Sequence, residues 1–282
     1  MFPPYTHLNR DLSDVPSNYA IPEPELSDPI SIVTAVFAGT PAIFGANNLG
    51  RVATNILANR ILASGATPRY LAATYTFDSD IPVNIVNAVD MAMRDAAVQA
   101  EMEATAVSSK TLTSGAADGI NLSMFGIGTR IPGFSFGTDN IRPGDTLIVS
   151  GPVGAYGTAV RSAAYGIEPM FCADGHALTD GIHALANVTP KVRSLIFPDK
   201  GIASAIRTLS SSHAVDIDIT GIPVDEAVIN ACRIMDIDPM EMPCAASMLI
   251  VVPRGEGLKT LEALRRSAYC GRAAIIGQIT RN

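Results

Sequence analysis

The chain has no tryptophan, and only 6% of its 282 residues are aromatic. Proteins that bind single-stranded nucleic acids by stacking use aromatic platforms, so this composition disfavours such a function. A basic excess is also missing, since the net charge is −7. Non-specific nucleic-acid binding requires a basic surface, and we therefore expect no nucleic-acid partner.

Long apolar runs are absent as well. No stretch reaches the roughly 18 consecutive apolar residues that a membrane-spanning helix needs. The first residues, MFPPYTHLNRDLSD, have neither the basic start nor the apolar centre of a signal peptide. These absences predict a cytoplasmic protein with no membrane partner. With 48% hydrophobic and 17% charged residues, the chain can still bury a large core.

Cysteine and histidine are sparse and scattered. The four cysteines, Cys172, Cys232, Cys244 and Cys270, include no C-x-x-C pair, so buried free thiols are expected. The four histidines follow no ligand spacing, and the chain contains no G-x-S-x-G sequence. From these patterns we predict no catalytic residue and no metal ligand.

Strand and helix patterns predict an arm followed by two domains. Residues 1–29, rich in proline and acids, are expected to form an extended arm or to pack across a partner subunit. Residues 30–140 are predicted to be an N-terminal α/β domain and residues 141–282 a C-terminal α+β domain, because strand–helix alternation occurs twice. The predicted strands are 30–37, 69–76, 105–112, 119–128, 145–150, 214–220, 248–252 and 273–279. The predicted helices lie within 45–64, 82–105, 158–165, 180–186, 202–211, 224–235 and 258–267.

The first predicted helix organises the N-terminal half. Apolar residues recur along it at helical spacing, which indicates one buried face. Asn47 or Asn48 is expected to cap its start with a side-chain oxygen. Ser64-Gly65 is expected to stop it, because glycine adopts the left-handed cap conformation at little cost.

Several polar residues are candidates for anion binding. Asn59 and Arg60 lie on the polar edge of this helix, and Lys110 follows two serines near the end of a strand. The glycines of residues 151–157, GPVGAYG, follow a strand and precede a helix, as phosphate loops do. Their G-x-x-G-x-x-G spacing matches neither the dinucleotide fingerprint nor the P-loop, and a structural turn is the favoured interpretation.

Several short motifs follow one another along the chain: Ser64-Gly-Ala-Thr-Pro-Arg-Tyr-Leu71, Gly126-Ile-Gly128, Pro143-Gly-Asp-Thr-Leu-Ile-Val-Ser-Gly-Pro-Val-Gly154, Gly221-Ile-Pro-Val224, Asp238-Pro239 and Ala274-Ile-Ile-Gly-Gln278. Their order resembles one superfamily, which contains aminoimidazole ribonucleotide synthetase, selenophosphate synthetase and the HypE hydrogenase maturation proteins. HypE is the group that the chain most resembles, and the similarity runs from about residue 30 to residue 280.

This resemblance implies a fold and a reaction. The fold has an N-terminal α/β domain whose sheet pairs with that of a second subunit, and a C-terminal α+β domain. ATP and Mg²⁺ are expected in the cleft of such proteins. HypE uses ATP to dehydrate a carbamoylated C-terminal cysteine to a thiocyanate, the cyanide source for [NiFe] hydrogenases, so other hydrogenase maturation proteins are expected partners.

Positions that carry ligand residues in the family differ here. In the N-terminal part, the family's Thr-Asp-Ser matches Thr34-Ala35-Val36, and its Gly-Gly-Asp matches Ala46-Asn47-Asn48. The family's Val-Asn-Asp matches Ala58-Asn59-Arg60, and its Gly-Asp-Thr-Lys matches Val107-Ser108-Ser109-Lys110. In the C-terminal part, the family's Asp-Pro-Thr-Arg-Gly-Gly matches residues 197–202, and its Asn-Glu-Gly-Lys-Leu matches residues 244–248. Neither the family's glycine-rich N-terminal loop nor its terminal Pro-Arg-Ile-Cys is recognisable. Mg²⁺ prefers several hard oxygen ligands, whereas Arg60 introduces a cation.

The first hypothesis is therefore a dimeric HypE-like protein related to hydrogenase maturation, with the ATP–Mg²⁺ dehydratase activity lost or altered. The second is an enzyme that binds a different phosphorylated or anionic substrate without Mg²⁺. In this hypothesis Arg60, Lys110 and Asn59 bind phosphate. The candidate residues for a nucleotide or anion cleft are Asn48, Asn59, Arg60, Ser108, Lys110 and Lys200. The third is a non-catalytic homodimeric binding protein that uses residues 1–29 as an interaction arm.

Overall fold

The computed structural model describes residues 30–39, 45–116, 119–132, 134, 138–167, 175–188 and 192–281. The predicted arm of residues 1–29 and Cys172 lie outside the described residues. Within the described residues the chain forms two β-sheets and the helices that pack on them. No helix in these ranges is long and apolar enough to cross a membrane.

The first sheet has four strands in the order β1-β4-β2-β3. β2 is parallel to β3, and β4 is antiparallel to both β1 and β2, so β1, β2 and β3 run in one direction. Two helices, α1 and α2, pack on one face of this sheet. The elements are β1 (Ile30–Gly39), α1 (Ala46–Ala63), β2 (Ala66–Asp78), α2 (Val83–Gln99), β3 (Glu103–Leu112) and β4 (Ile120–Arg130).

The second sheet is antiparallel, with the strand order β6-β8-β5-β9-β7. Strand β8, which lies between β6 and β5, is buried along its whole length, as its uninterrupted LIVV run predicts. The elements are β5 (Thr146–Val149), α3 (Ala155–Ala164), α4 (Thr179–Val188), β6 (Ser194–Ile196), α5 (Ile202–Ser210), β7 (Val215–Ile217), α6 (Glu226–Met235), β8 (Leu249–Val252), α7 (Gly257–Arg266) and β9 (Ala274–Ile279). Short 3₁₀ turns occupy Thr138–Asn140, Ile219–Gly221 and Pro239–Glu241.

Helix α1 is buried almost all round. Every residue from Val52 to Asn59 is buried, including the polar side chains of Thr54 and Asn55. One side faces the first sheet and α2, and the other faces residues of the second half. The sequence pattern predicted only one buried face, because it does not show that a second layer covers the polar edge.

Glycines allow the close approach of α1 to its neighbours. A Cβ atom at Gly50 would lie 2.1 Å from the carbonyl oxygen of Val89 in α2. A Cβ at Gly126 or Gly128 of β4 would lie 2.6 or 2.4 Å from side-chain atoms of Ile61. The Gly-x-Gly motif of β4 is therefore a packing surface for α1.

Each half of the molecule contributes a residue to the hydrophobic core of the other half. Leu62, at the end of α1, packs in the cluster that contains Ile148, Leu178 and Ile250 of the second half. Conversely, Ala245 packs in the cluster built on the first sheet. The predicted domain boundary between residues 140 and 141 stays a prediction, but the cores on its two sides are interlocked.

Most predicted elements are present, and four details of the prediction were wrong. The N-cap of α1 is Gly45 with no side-chain cap bond, whereas the Asn48 Oδ1 accepts a hydrogen bond from Arg51. Helix α2 ends at Gln99 instead of residue 105, because Glu101 adopts a left-handed conformation and β3 begins at Glu103. β7 is only three residues long, and the short strand β6 was missed.

The predicted stop of α1 and the predicted free thiols are confirmed where they are described. Ser64 is the C-cap of α1, and Gly65 follows with φ 84°. Cys232, Cys244 and Cys270 are free and buried.

Candidate functional site

The predicted site residues lie in three places. Asn48 is in the first turn of α1 and Asn59 in its last turns, so about 17 Å of helix separates them. Ser108 and Lys110 lie on β3, an edge strand of the first sheet, and Lys200 precedes α5. Since α1 starts where β1 ends, Asn48 lies toward the carboxyl ends of the parallel strands, and Asn59 lies toward the other end.

Asn59 joins the two halves of the molecule. Its fully buried side chain donates through Nδ2 to the carbonyl oxygens of His176 (2.8 Å) and Ala245 (2.7 Å). Its Oδ1 accepts a hydrogen bond from the backbone N–H of Leu178 at 2.8 Å. Both amide hydrogens are thereby used, so this side chain has no donor left for an anion.

Arg60 forms an ion pair across the same junction. Its Nη2 lies 3.3 Å from the Asp199 Oδ2, and the two side chains are 32% and 46% exposed. The adjacent Lys200 is exposed. Arg60 therefore contacts Asp199, the residue before Lys200 in the chain, and Asp199, which the prediction did not include, neutralises the arginine.

Ser108 and Lys110 face away from the helices. Val107 packs toward the core, so its neighbours along the strand alternate to the opposite face of the sheet. The Ser108 hydroxyl lies 3.0 Å from the Thr74 hydroxyl of β2, and Lys110 is exposed. Ser108 and Lys110 therefore lie on the same face of the sheet, and Asn59 lies on the other side of the sheet.

A cleft of about 240 Å³ opens beside the Asn59 junction. One wall is the turn before α3, another is the segment that follows Pro243, and a third is a stacked pair, His176 and Tyr269, whose rings are 3.9 Å apart and nearly parallel. The lining residues are Pro152, Gly154, Ala155, Tyr156, His176, Asp225, Cys244, Ala245, Ala246, Ser247 and Tyr269. The sequence analysis did not predict this cleft, although it had noted two segments that line it, the glycine turn and residues 244–248.

The glycine turn of residues 151–157 serves packing. Gly154 has φ 83°, and a Cβ there would lie 2.6 Å from the carbonyl oxygen of Pro239. A Cβ at Gly157 would lie 2.4 Å from the ring of Pro243. These close contacts support the structural interpretation of the turn.

The cleft is poor in charge. Asp225 is its one carboxylate among the described residues, and it is paired with Arg272. Tyr156 is partly buried, and this burial raises the pKa of its phenol, while nearby Arg60 opposes the rise. No group of three or more histidine, cysteine, aspartate or glutamate side chains in the described ranges is placed to hold a metal ion.

Cys244 is the buried thiol of the cleft. Burial raises the pKa of this thiol to about 12, and the Gly154 N–H, which donates to Sγ at 3.4 Å, opposes the rise. The protonated thiol is therefore stabilising up to the ordinary cysteine pKa, and that contribution is lost as the pH rises toward 12. A thiol without its thiolate form is a weak nucleophile.

We expect Cys244 to resist alkylation in the folded protein. Treatment with iodoacetamide at about pH 8, followed by peptide mass spectrometry, should leave it unmodified in native protein and modify it fully in denaturant. Cys270 is the matched comparison, because it is also a free, buried thiol and burial raises its pKa to about 11. Equal alkylation rates of Cys244 in native and denatured protein would contradict this expectation.

Comparisons with known proteins identify clear relatives. Carbamoyl dehydratase HypE from Azotobacter vinelandii is 27% identical over 245 residues, which cover 85% of this chain and 72% of the relative. Carbamoyl dehydratase HypE from Rhizobium leguminosarum bv. viciae is 28% identical over 256 residues, which cover 88% and 73%. No protein-family model matches the chain.

Solved structures agree with these relatives. The crystal structure of a HypE-HypF complex has a chain with TM-score 0.83 and 28% identity, covering 90% of this chain and 85% of that one. HypE in complex with ATP gives TM-score 0.85 at 24% identity, covering 91% and 78%. Thiamine monophosphate kinase from Aquifex aeolicus gives TM-score 0.72 at 15% identity, covering 91% and 87%, which shows a shared fold.

Proposed function

The chain is a homologue of the HypE hydrogenase maturation proteins, and on this premise we propose that it acts in hydrogenase maturation without the ATP–Mg²⁺ dehydratase reaction. The observation that carries the proposal is the Arg60–Asp199 ion pair. By the sequence match, Arg60 takes the position of a family aspartate. The structure places this arginine against a carboxylate of the opposite half, where it helps Asn59 to join the two halves.

The residues present do not fit Mg²⁺. The ion prefers near-octahedral oxygen ligands and binds proteins through one or two carboxylates. Asn48 is hydrogen-bonded to Arg51, Ser108 contacts a threonine hydroxyl, and Arg60 is a cation. We therefore derive no reaction step through ATP–Mg²⁺ for this chain.

We expect calorimetric titration to show no Mg²⁺-dependent ATP binding. ATP should give a dissociation constant weaker than about 1 mM, with and without Mg²⁺, because Arg60 is paired with Asp199 and both amide hydrogens of Asn59 are already donated within the protein. The HypE that crystallised with ATP is the positive control. Micromolar, Mg²⁺-dependent binding of ATP would overturn the proposal.

The same kind of titration distinguishes this proposal from the second hypothesis, an enzyme that binds a different anionic substrate without Mg²⁺. Lys200 is exposed beside the Arg60–Asp199 pair, and an anion could compete with Asp199 for the arginine. Binding of inorganic phosphate without a metal, lost in Arg60→Ala and kept in the distant Arg233→Ala, would favour an enzyme for a different anionic substrate.

We also propose that a second copy of the chain covers the first sheet. The face opposite the helices carries exposed Ile32, Thr74, Ser108 and Ser123, and no described helix packs on it. The resemblance to proteins whose sheets pair in dimers supports this assignment.

A HypF-type protein is a further proposed partner, because a similar chain was crystallised in a HypE-HypF complex. A location in the cytoplasm is part of the same proposal.

A further inference from the structure

The cleft beside the Asn59 junction has the size of a small ring compound. Its volume is about 240 Å³. An apolar cavity of about 150 Å³ is already large enough to hold benzene, and pockets for drug-sized ligands begin at about 300 Å³. A molecule with one or two rings therefore fits this cleft.

One wall of the cleft is an aromatic pair. The rings of His176 and Tyr269 have centroids 3.9 Å apart and planes 5° apart. Both residues line the cleft, and Tyr269 is 57% exposed, so the pair is not enclosed in a hydrophobic core. Aromatic rings pack favourably against other flat rings. The wall therefore favours a flat ligand over a puckered one.

The backbone of Tyr269 shows that this ring is held in place at a cost. Its φ is 64°, in the left-handed region that bulky residues rarely adopt. A side chain that is 57% exposed gains little from burial to offset this cost. Strained residues of this kind cluster at ligand sites. The conformation therefore supports a role for the Tyr269 ring in contact with a ligand.

The charges around the cleft are already paired. Asp225 is the only aspartate, glutamate, lysine or arginine among the described residues that line it, and it is paired with Arg272. Arg60 is near enough to Tyr156 to affect the pKa of its phenol, but it is paired with Asp199. A charged ligand would lose hydration without meeting an unpaired opposite charge, so an uncharged ligand is favoured.

Residues 245–247 form a polar edge of the cleft. Ala245, Ala246 and Ser247 all line it, and their short side chains leave the main chain at its border. The Ser247 hydroxyl donates to the carbonyl oxygen of Pro152, so its own oxygen is left to accept a hydrogen bond. A ligand with a donor group such as a carboxamide matches this edge.

We propose that the cleft binds a small, uncharged, flat aromatic compound that carries a carboxamide or a similar hydrogen-bonding group. The ring lies against the wall of His176 and Tyr269, and the polar group lies against residues 245–247. This proposal is independent of the loss of ATP–Mg²⁺ binding, because such a compound carries no phosphate.

Three compounds of nearly equal size test the proposal on the full-length protein. Benzamide is flat and uncharged, cyclohexanecarboxamide carries the same amide on a puckered ring, and benzoate is flat but anionic. We expect benzamide to bind with a dissociation constant of about 1 mM in a titration followed by two-dimensional NMR. Each of the other two compounds should bind at least about tenfold more weakly.

Each comparison can overturn one part of the proposal. Equal binding of cyclohexanecarboxamide would show that flatness is not recognised. Equal binding of benzoate would show that an uncharged ligand is not preferred. No binding of benzamide at about 20 mM would overturn the proposal as a whole.

Variants of Tyr269 locate the compound in the cleft. Tyr269→Asn removes the ring but suits the left-handed backbone, and it should weaken benzamide binding at least about fivefold. Tyr269→Phe keeps the ring and should retain binding. Tyr165→Asn, at a 62% exposed tyrosine outside the cleft, is the matched control and should leave binding unchanged.

A second variant blocks the cleft without removing the ring. Ala246→Leu fills part of the volume and should abolish benzamide binding, whereas Ala164→Leu, at an exposed position of α3, should not. Thermal unfolding midpoints within about 3 °C of wild type show that a loss of binding is not a loss of folding. Unchanged binding in both Tyr269→Asn and Ala246→Leu would contradict the assignment to this cleft.

Discussion

Replacing Asn59 with leucine is expected to lower the free energy of unfolding by about 3–5 kcal/mol. Leucine has a similar volume, so the change creates little cavity, but it removes three hydrogen bonds of the junction: those from Asn59 Nδ2 to the carbonyls of His176 and Ala245 and that from the Leu178 N–H to Asn59 Oδ1. An unpaired buried polar group costs about 1–3 kcal/mol. Urea denaturation followed by circular dichroism measures the change.

The matched control for Asn59 is an exposed asparagine. Asn84 lies in α2 and is solvent-exposed. Asn84→Leu is expected to change the free energy of unfolding by less than about 0.5 kcal/mol. A loss below about 1 kcal/mol for Asn59→Leu would show that the junction does not depend on this amide.

Gly50→Ala is expected to lower the free energy of unfolding by about 2–3 kcal/mol. The added Cβ would lie 2.1 Å from the Val89 carbonyl oxygen and 2.9 Å from the Met93 backbone nitrogen, so α1 and α2 must move apart. Helix propensity acts in the opposite direction, because alanine is favoured over glycine by about 1 kcal/mol. The net loss therefore measures the packing of the two helices, by the same urea titration.

Gly271→Ala is the control for this substitution. A Cβ at Gly271 meets no atom within 4 Å, and its φ is outside the left-handed region. We expect a change below about 0.5 kcal/mol. A Gly50→Ala protein as stable as wild type would mean that α2 can shift without loss of contacts.

The element pattern was predictable because it is local. Buried runs such as LIVV in β8 and the Ser64-Gly65 stop are set by neighbouring residues, and the structure confirms them. The shortened β7 and the early end of α2 were not predictable, because they depend on the Asp218 side chain accepting backbone hydrogen bonds and on where β3 begins.

The candidate site was less predictable than the fold. Asn59 and Arg60 were singled out from their sequence positions, but their partners lie more than 100 residues away in the chain. Asp199 was missed for that reason. The stacked pair of His176 and Tyr269 has no sequence signature, since its members are 93 positions apart.

Leu62 packs in the core of the second half and Ala245 in the core of the first half, which has a consequence for folding. Neither sheet can complete its hydrophobic packing until α1 is seated between both of them. A ribosome-bound chain that ends shortly after α1 has the helix but lacks the surfaces that bury it. Helix α1, the first helix of the chain's described residues, is therefore expected to be one of the last to become stable during synthesis, because its final contacts are made near residue 250.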